Sequence, residues 1–82
     1  MRFLRPKIVL ERYGFSRSQF YAAQQGGTFV RSVKIGKRAA VIPEFEAEQI
    51  AAAHVAGATV EQVKRLVVKL HEQRLAGMPA LG

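Results

Sequence analysis

The sequence predicts a mainly α fold with a small β-hairpin: a winged helix-turn-helix in the order α-α-β-β-α, with one additional C-terminal helix. Three observations predict it. Two short helical segments meet at Gly14-Phe15-Ser16, the residues after them alternate like a strand and turn at Gly36, and the last third of the chain returns to helical spacing. At 82 residues the chain falls below the roughly 100–200 residues of a typical domain, so it has room for one small core. Its 49% apolar and 23% charged residues are ordinary globular usage, which sets aside disordered, coiled-coil and collagen-like classes.

The first helix begins at Pro6, where a missing N–H costs least, and runs to Tyr13; Gly14 stops it. Ser16 is a good N-cap with Gln19 three residues on, a capping-box arrangement, and Phe15 stands where it can staple back onto the helix it precedes. The second helix therefore starts at Arg17 and ends at Gly26-Gly27, which can supply a left-handed C-terminal turn. Phe29 to Ile35 reads as a strand with Phe29, Val33 and Ile35 on one side and Ser32 and Lys34 on the other. Gly36-Lys37 is the turn and Ala39 to Ile42 the return strand, so the hairpin tip carries Lys34, Lys37 and Arg38.

Pro43 can open the third helix, with Glu44, Glu46 and Glu48 near its positive end, and Gly57 closes it. Thr59 and Gln62 make a second capping-box signature, followed by the apolar stripe Val60, Val63, Leu66, Val67 and Leu70 on a helix reaching about Leu75. The expected organisation is a helix-turn-helix domain over residues 1–57, a C-terminal helix over 58–76 and a flexible tail over 77–82. The expected core is Leu4, Ile8, Leu10, Phe15, Phe20, Ala23, Phe29, Val33, Ile35, Val41, Phe45 and Ile50. The C-terminal stripe has two readings, packing on this core or pairing with a second copy in a homodimer or a cooperative assembly.

Charge is distributed unevenly. Residues 1–40 hold Arg2, Arg5, Lys7, Arg12, Arg17, Arg31, Lys34, Lys37 and Arg38 against Glu11 alone, nine positive less one negative, while residues 41–82 hold four basic and five acidic residues. The net +7 thus resides in the first half, the pattern of a surface that meets a polyanion; a merely soluble basic surface is the bland alternative. On the second helix Phe20 and Ala23 point inward, which leaves Arg17, Ser18, Gln19, Tyr21, Gln24 and Gln25 outside or at the flanks as candidate groove residues. Arg17 can chelate a guanine or hold a phosphate, Gln25 can bridge an adenine, and Ser18 and Tyr21 can donate to phosphates. Arg31, Lys34, Lys37 and Arg38 form a candidate wing for a phosphate backbone or minor groove, or else protect a sheet edge. Arg2, Arg5 and Lys7 are candidate phosphate contacts.

Enzyme signatures are missing from this sequence. His54 and His71 fall on different helices without metal-binding spacing and read as surface or packing residues, and three glutamates spaced by two spread around a helix axis. The absence of cysteine excludes disulfides and thiolate zinc. No cofactor or metal is expected. Apolar runs stop at four residues, such as Ala39 to Ile42, against the roughly 20 of a membrane span, and no signal-peptide core follows Arg2 and Arg5, so a cytoplasmic protein without a membrane partner is expected.

Phe3-Leu4-Arg5, Val9-Leu10-Glu11-Arg12, Gly14-Phe15-Ser16-Arg17-Ser18, Phe20-Tyr21, Gly27-Thr28-Phe29, and Val33-Lys34-Ile35-Gly36 with Arg38-Ala39 occur in an order that resembles the AlpA-type phage regulators. These belong to the MerR-like group of small winged-helix proteins that includes excisionases. The resemblance covers about residues 2–50. It implies binding to double-stranded DNA as a transcriptional regulator, a recombination directionality factor or both, with Arg17, Ser18 and Tyr21 on the recognition helix and residues 34–38 as the wing. The chain departs from the pattern at Val30, where the family often has proline, at Ile42 and Ile50, where it has tryptophan, and at Ala22 and Ala23, which replace bulkier residues. The stretch after Gly57 lies beyond the usual family end. A reading of another class is a protein-interaction adaptor that engages a recombinase or RNA polymerase through the C-terminal helix.

Overall fold

The computed structural model describes residues 2–37 and 39–77. In chain order it contains β1 (Phe3–Leu4), α1 (Pro6–Tyr13), α2 (Arg17–Gly26), β2 (Val33–Ile35), β3 (Ala39–Pro43), α3 (Glu44–Val55) and α4 (Val60–Ala76). This is the expected helix-turn-helix, hairpin and two further helices, with one addition. The hairpin is widened to an antiparallel sheet of order β1-β3-β2, because Phe3 pairs with Pro43 and Leu4 with Ile42. The Glu44 N–H extends that ladder by donating to the Arg2 carbonyl at 2.8 Å.

The helix ends follow local chemistry. Ser16 caps α2 and Thr59 caps α4, and in both the third helical residue, Gln19 or Gln62, returns a side-chain bond to the cap N–H. Gly14 and Gly27 end α1 and α2 at φ 71° and 82°, left-handed values at which a side chain would crowd the following carbonyl. Phe15 packs on Phe20 with ring centroids 6.2 Å apart, and both rings meet Phe29, at 5.7 and 5.5 Å. Three aromatic rings thereby lock the turn between α1 and α2 against the loop that follows α2.

One continuous cluster makes the core: Leu4 and Val9 from the N-terminal segment, Phe20, Phe29 and Val30 from α2 and its exit, Ile42 from β3, Ala47 and Ile50 from α3, and Val63, Val67 and Leu70 from α4. Leu10, Phe15 and Ala23 pack against it half-buried, Val33 is half-buried in β2, and Val41 is buried in β3. Three expected core residues are instead exposed. Ile8 lies outside because β1 anchors the chain before the helix and sets the phase of α1 so that Val9 is enclosed. Ile35 ends a short edge strand beside the Gly36 turn, where no element covers it, and Phe45 falls to the flank of α3, whose inward residues are Glu46, Ala47 and Ile50.

The strand expected from Phe29 is confined to Val33–Ile35. Phe29 and Val30 are adjacent and both buried, which a pleated strand with alternating faces does not allow. The reason is the α2 exit: the N–H groups of Thr28 and Phe29 both donate to the Ala23 carbonyl, at 2.9 and 3.1 Å, holding the chain in a tight turn that drops both side chains inward. Pro43, expected to open α3, is the last residue of β3 and the N-cap position of α3, which starts at Glu44. Arg38 and most of the expected tail, residues 78–82, lie outside the described residues.

Candidate nucleic-acid interface

Helix α2 presents Arg17, Ser18, Tyr21, Ala22 and Gln25 to solvent while Phe20 is enclosed and Ala23 and Gln24 are half-buried. The i, i+3/i+4, i+7 spacing of Ser18, Tyr21, Ala22 and Gln25 places them on one face. Tyr21 is 55% exposed, and its ring centroid lies 5.7 Å from that of the buried Phe20. The small Ala22 leaves the middle of this face low between flanking polar side chains. A helix about 10–12 Å across fits a major groove about 12 Å wide.

Two residues expected on this face have intramolecular work. Gln24 turns inward: its amide nitrogen donates to the Val30 carbonyl and to Ser32 Oγ, each at 3.1 Å. Its amide nitrogen is thus engaged within the chain and not free toward a groove, because the buried loop carbonyl must find a donor. Gln19 Oε1 accepts from the Ser16 N–H at 2.9 Å in the capping box, so its carbonyl end is engaged at the helix start.

Beyond α2, Val33 pairs with Val41 and Ile35 with Ala39, closing the hairpin, with Gly36 in its turn at φ 79°. Lys34 and Lys37 are exposed on this projection, and Arg31 is exposed just before it. Arg38 belongs to the same expected group and lies outside the described residues. At the N-terminus, Arg2 is held by β1 pairing next door, its side chain 75% exposed and 4.0 Å from Glu44. Arg5 is the residue preceding α1 and Lys7 lies in its first turn, both exposed. Arg12, by contrast, donates to Glu44 Oε2 at 2.9 Å, a hydrogen bond that pushes its already high pKa further up. Among the described residues Arg5, Lys7, Arg17, Arg31, Lys34 and Lys37 make no ion pair.

The C-terminal helix completes the scaffold. Val63, Val67 and Leu70 are buried in the chain's own core and Leu66 packs against it half-buried. Of the two readings of the stripe, these positions follow packing on the chain's own core: their apolar surface is removed from water within one chain. Val60, from the same stripe, is exposed at the start of α4. The helix continues inward at Arg74, whose guanidinium chelates the buried Glu46, with Nε 2.9 Å from Oε2 and Nη2 2.5 Å from Oε1. Arg74 Nη2 also donates to the Arg31 carbonyl at 2.9 Å, and the Arg31 N–H donates to His71 Nε2 at 3.1 Å. His71 therefore holds the neutral tautomer with its proton on Nδ1. Burial pushes its pKa below the ordinary value, and the charges of Arg74 and Arg31 add to that while Glu46 opposes it.

Sequence reading passed over His71, Arg74 and Glu46 as functional residues. A signal was present for two of them. Arg74 falls at the next position of the 63, 67, 70 stripe, and Glu46 precedes Ile50 by one helical turn; a charge at core phase on each of two helices calls for a partner. His71 carried no such mark. Apart from this interface, an apolar recess of about 290 Å³ lies between Tyr13, Phe15, Phe29 and the α3 residues Ala47, Ile50 and His54. Among the described residues no group of three or more His, Asp and Glu side chains is gathered to hold a metal, and no helix is long and apolar enough to cross a membrane.

No curated protein and no solved structure matches the chain at a significant level. One protein-family model, described as the prophage CP4-57 regulatory protein AlpA, matches residues 2–53. That segment contains β1 through most of α3, and so includes the helix-turn-helix and the hairpin in their observed order. With more than half of its length matched, and with the fold in agreement, the chain belongs to the AlpA family of prophage regulatory proteins.

Proposed function

We propose that this protein is a sequence-specific double-stranded DNA-binding regulator of a phage or other mobile element, acting in the cytoplasm on transcription, on the direction of recombination, or on both. Helix α2 enters the major groove with Arg17, Ser18, Tyr21 and Gln25 toward the bases and flanking phosphates. The hairpin lies on the adjacent backbone or minor groove through Lys34, Lys37 and Arg38, with Arg31 at its root, and Arg2, Arg5 and Lys7 contact phosphates nearby. The observation that carries this reading is the solvent-facing side of α2: polar, free of internal ion pairs, and rigidly backed by the Phe15-Phe20-Phe29 cluster. Rigid backing matters because base-edge hydrogen bonds require side chains delivered from a fixed helix.

Fluorescence anisotropy tests it, with a mixed-sequence duplex and a duplex from upstream of the protein's own gene, across salt, for wild type and Arg17→Ala. The expected result is salt-dependent binding that favours the upstream duplex, with the preference lost in Arg17→Ala. Equal weak binding to both duplexes, unaltered by the substitution, overturns the assignment.

A second reading has a specific observation behind it. Val68 and Leu75 are exposed seven residues apart on α4, outside the family-matched segment, and can support contact with a recombinase, RNA polymerase or a neighbouring copy on DNA. Val68→Ser with Leu75→Ser, which adds no charge beside Arg31, is expected to leave DNA affinity for a single site intact and to abolish any such assembly; unchanged assembly in light scattering removes this role from α4.

A further inference from the structure

Residues 30–32 form the root of the hairpin, and side chains from two helices hold all three. The Val30 carbonyl and Ser32 Oγ accept from Gln24 on α2. Between them, Arg31 is gripped at both backbone groups by α4: its N–H by His71 Nε2 at 3.1 Å and its carbonyl by Arg74 Nη2 at 2.9 Å. Arg74 is itself immobilised by its chelate with the enclosed carboxylate of Glu46 on α3. An exposed connecting segment ordinarily leaves its backbone groups to water and moves accordingly. Here the point at which the chain leaves the core for the hairpin is fixed to the far end of a helix that the family match does not include.

We infer that His71 and Arg74 are positioning residues for the hairpin: by holding Arg31 they set the angle at which Lys34 and Lys37 meet DNA engaged by α2. The inference rests on the DNA-binding reading above. Small rotations at a root are amplified at a projecting tip, so two hydrogen bonds at Arg31 govern whether tip and helix reach one duplex together. The grip is also proton-sensitive. The groups that face His71 are Arg31 from the loop, Glu46 from α3 and Arg74 from its own helix, with Glu72 beside it in a shallow recess that Arg31, His71 and Arg74 also line. Protonation puts a donor on Nε2 opposite the Arg31 N–H and adds positive charge beside Arg31 and Arg74, so acid opens this contact.

The test is a coupling experiment on the full chain, read by anisotropy with a mixed-sequence duplex. Wild type and His71→Ala are each compared with and without the pair Lys34→Ala and Lys37→Ala, and far-UV circular dichroism confirms that every variant is folded. In wild type, loss of the two lysines is expected to weaken binding about tenfold or more, as two lost phosphate contacts at moderate salt would. In His71→Ala the same loss should cost under about threefold, while the effect of Arg17→Ala stays as in wild type. His71→Gln, whose side-chain oxygen can accept from Arg31 without titrating, should restore the lysine effect. It should also keep that effect as pH falls through the depressed His71 value, which lies below the ordinary 6.5 and where wild type loses it. Arg74→Lys, which keeps a charge for Glu46 but has no planar fork, should uncouple the hairpin as His71→Ala does.

An undiminished lysine effect in folded His71→Ala and Arg74→Lys overturns the inference, as does a wild-type hairpin whose lysines contribute nothing. Failure of the DNA-binding reading looks different: wild type itself then shows no salt-dependent binding.

Discussion

At the residue scale the interface separates into side chains free to meet a ligand and side chains that hold the frame. Arg17 belongs to the first group. Its replacement by alanine is expected to cost about 1–3 kcal/mol on the preferred duplex if it chelates a guanine, with relaxed specificity at that base, as competition binding will read. Gln24 belongs to the second. Gln24→Ala strands the Val30 carbonyl and should lower unfolding stability by about 1–3 kcal/mol in a urea titration; a large change in sequence preference with unchanged stability would return Gln24 to the groove. Arg74→Ala leaves Glu46 enclosed without its partner, for which a loss of about 3–5 kcal/mol is expected, toward the lower end because the Arg74 side chain is 24% exposed.

His71 gives the fold a pH dependence whose sign is fixed. Its pKa is lowered in the folded chain, so below 6.5 the unfolded state binds more protons than the native state. The stability contributed by the neutral ring is present above 6.5 and declines as pH falls toward the depressed folded value. Melting temperature should therefore fall more steeply in that window for wild type than for His71→Gln; parallel curves would show that the ring is not linked to folding.

At the element scale, what was legible is what is local. Both capping boxes, the left-handed glycines after α1 and α2, and the turn at Gly36 arise from interactions within a few residues, and the helix-turn-helix was readable from them. Gly14 isolates the backbone contribution, because a Cβ there meets nothing within 4 Å while φ is +71°. Gly14→Ala should therefore cost about 1–2 kcal/mol from conformation alone; a neutral melting curve would mean that the turn relaxes. Less legible were the strands. Two residues of β1 carry too little pattern to announce themselves, and the apparent alternation from Phe29 onward was broken by the Ala23 carbonyl drawing two N–H groups into a turn.

On the scale of the whole molecule, α4 is a wall of the domain. Removing residues 58–82 would uncover the apolar surface now buried under Val63, Val67 and Leu70, so that truncation is expected to abolish the cooperative thermal transition instead of leaving a working DNA-binding domain. A cooperative transition in the shortened chain would overturn this. The uneven charge also acts at this scale. If about five phosphates are contacted, the logarithm of affinity should fall with the logarithm of salt at a slope of about −4.5, and a complex indifferent to salt would exclude the basic half as its footing.

The sequence by itself determined the helix order, the ends of α2 and α4, the hairpin turn and the concentration of positive charge in the first half. Each depends on neighbours in the chain or on composition, which a linear reading contains. The tertiary structure alone decided the phase of α1, the inward turn of Gln24, the packing of α4 on the core and the hold on Arg31. Each depends on which residues outside its own element it meets, and the last on long-range contacts, of Arg74 with Glu46, 28 positions away, and with Arg31, 43 positions away. Periodicity can say that a charge faces inward, but which buried partner receives it depends on how the helices pack.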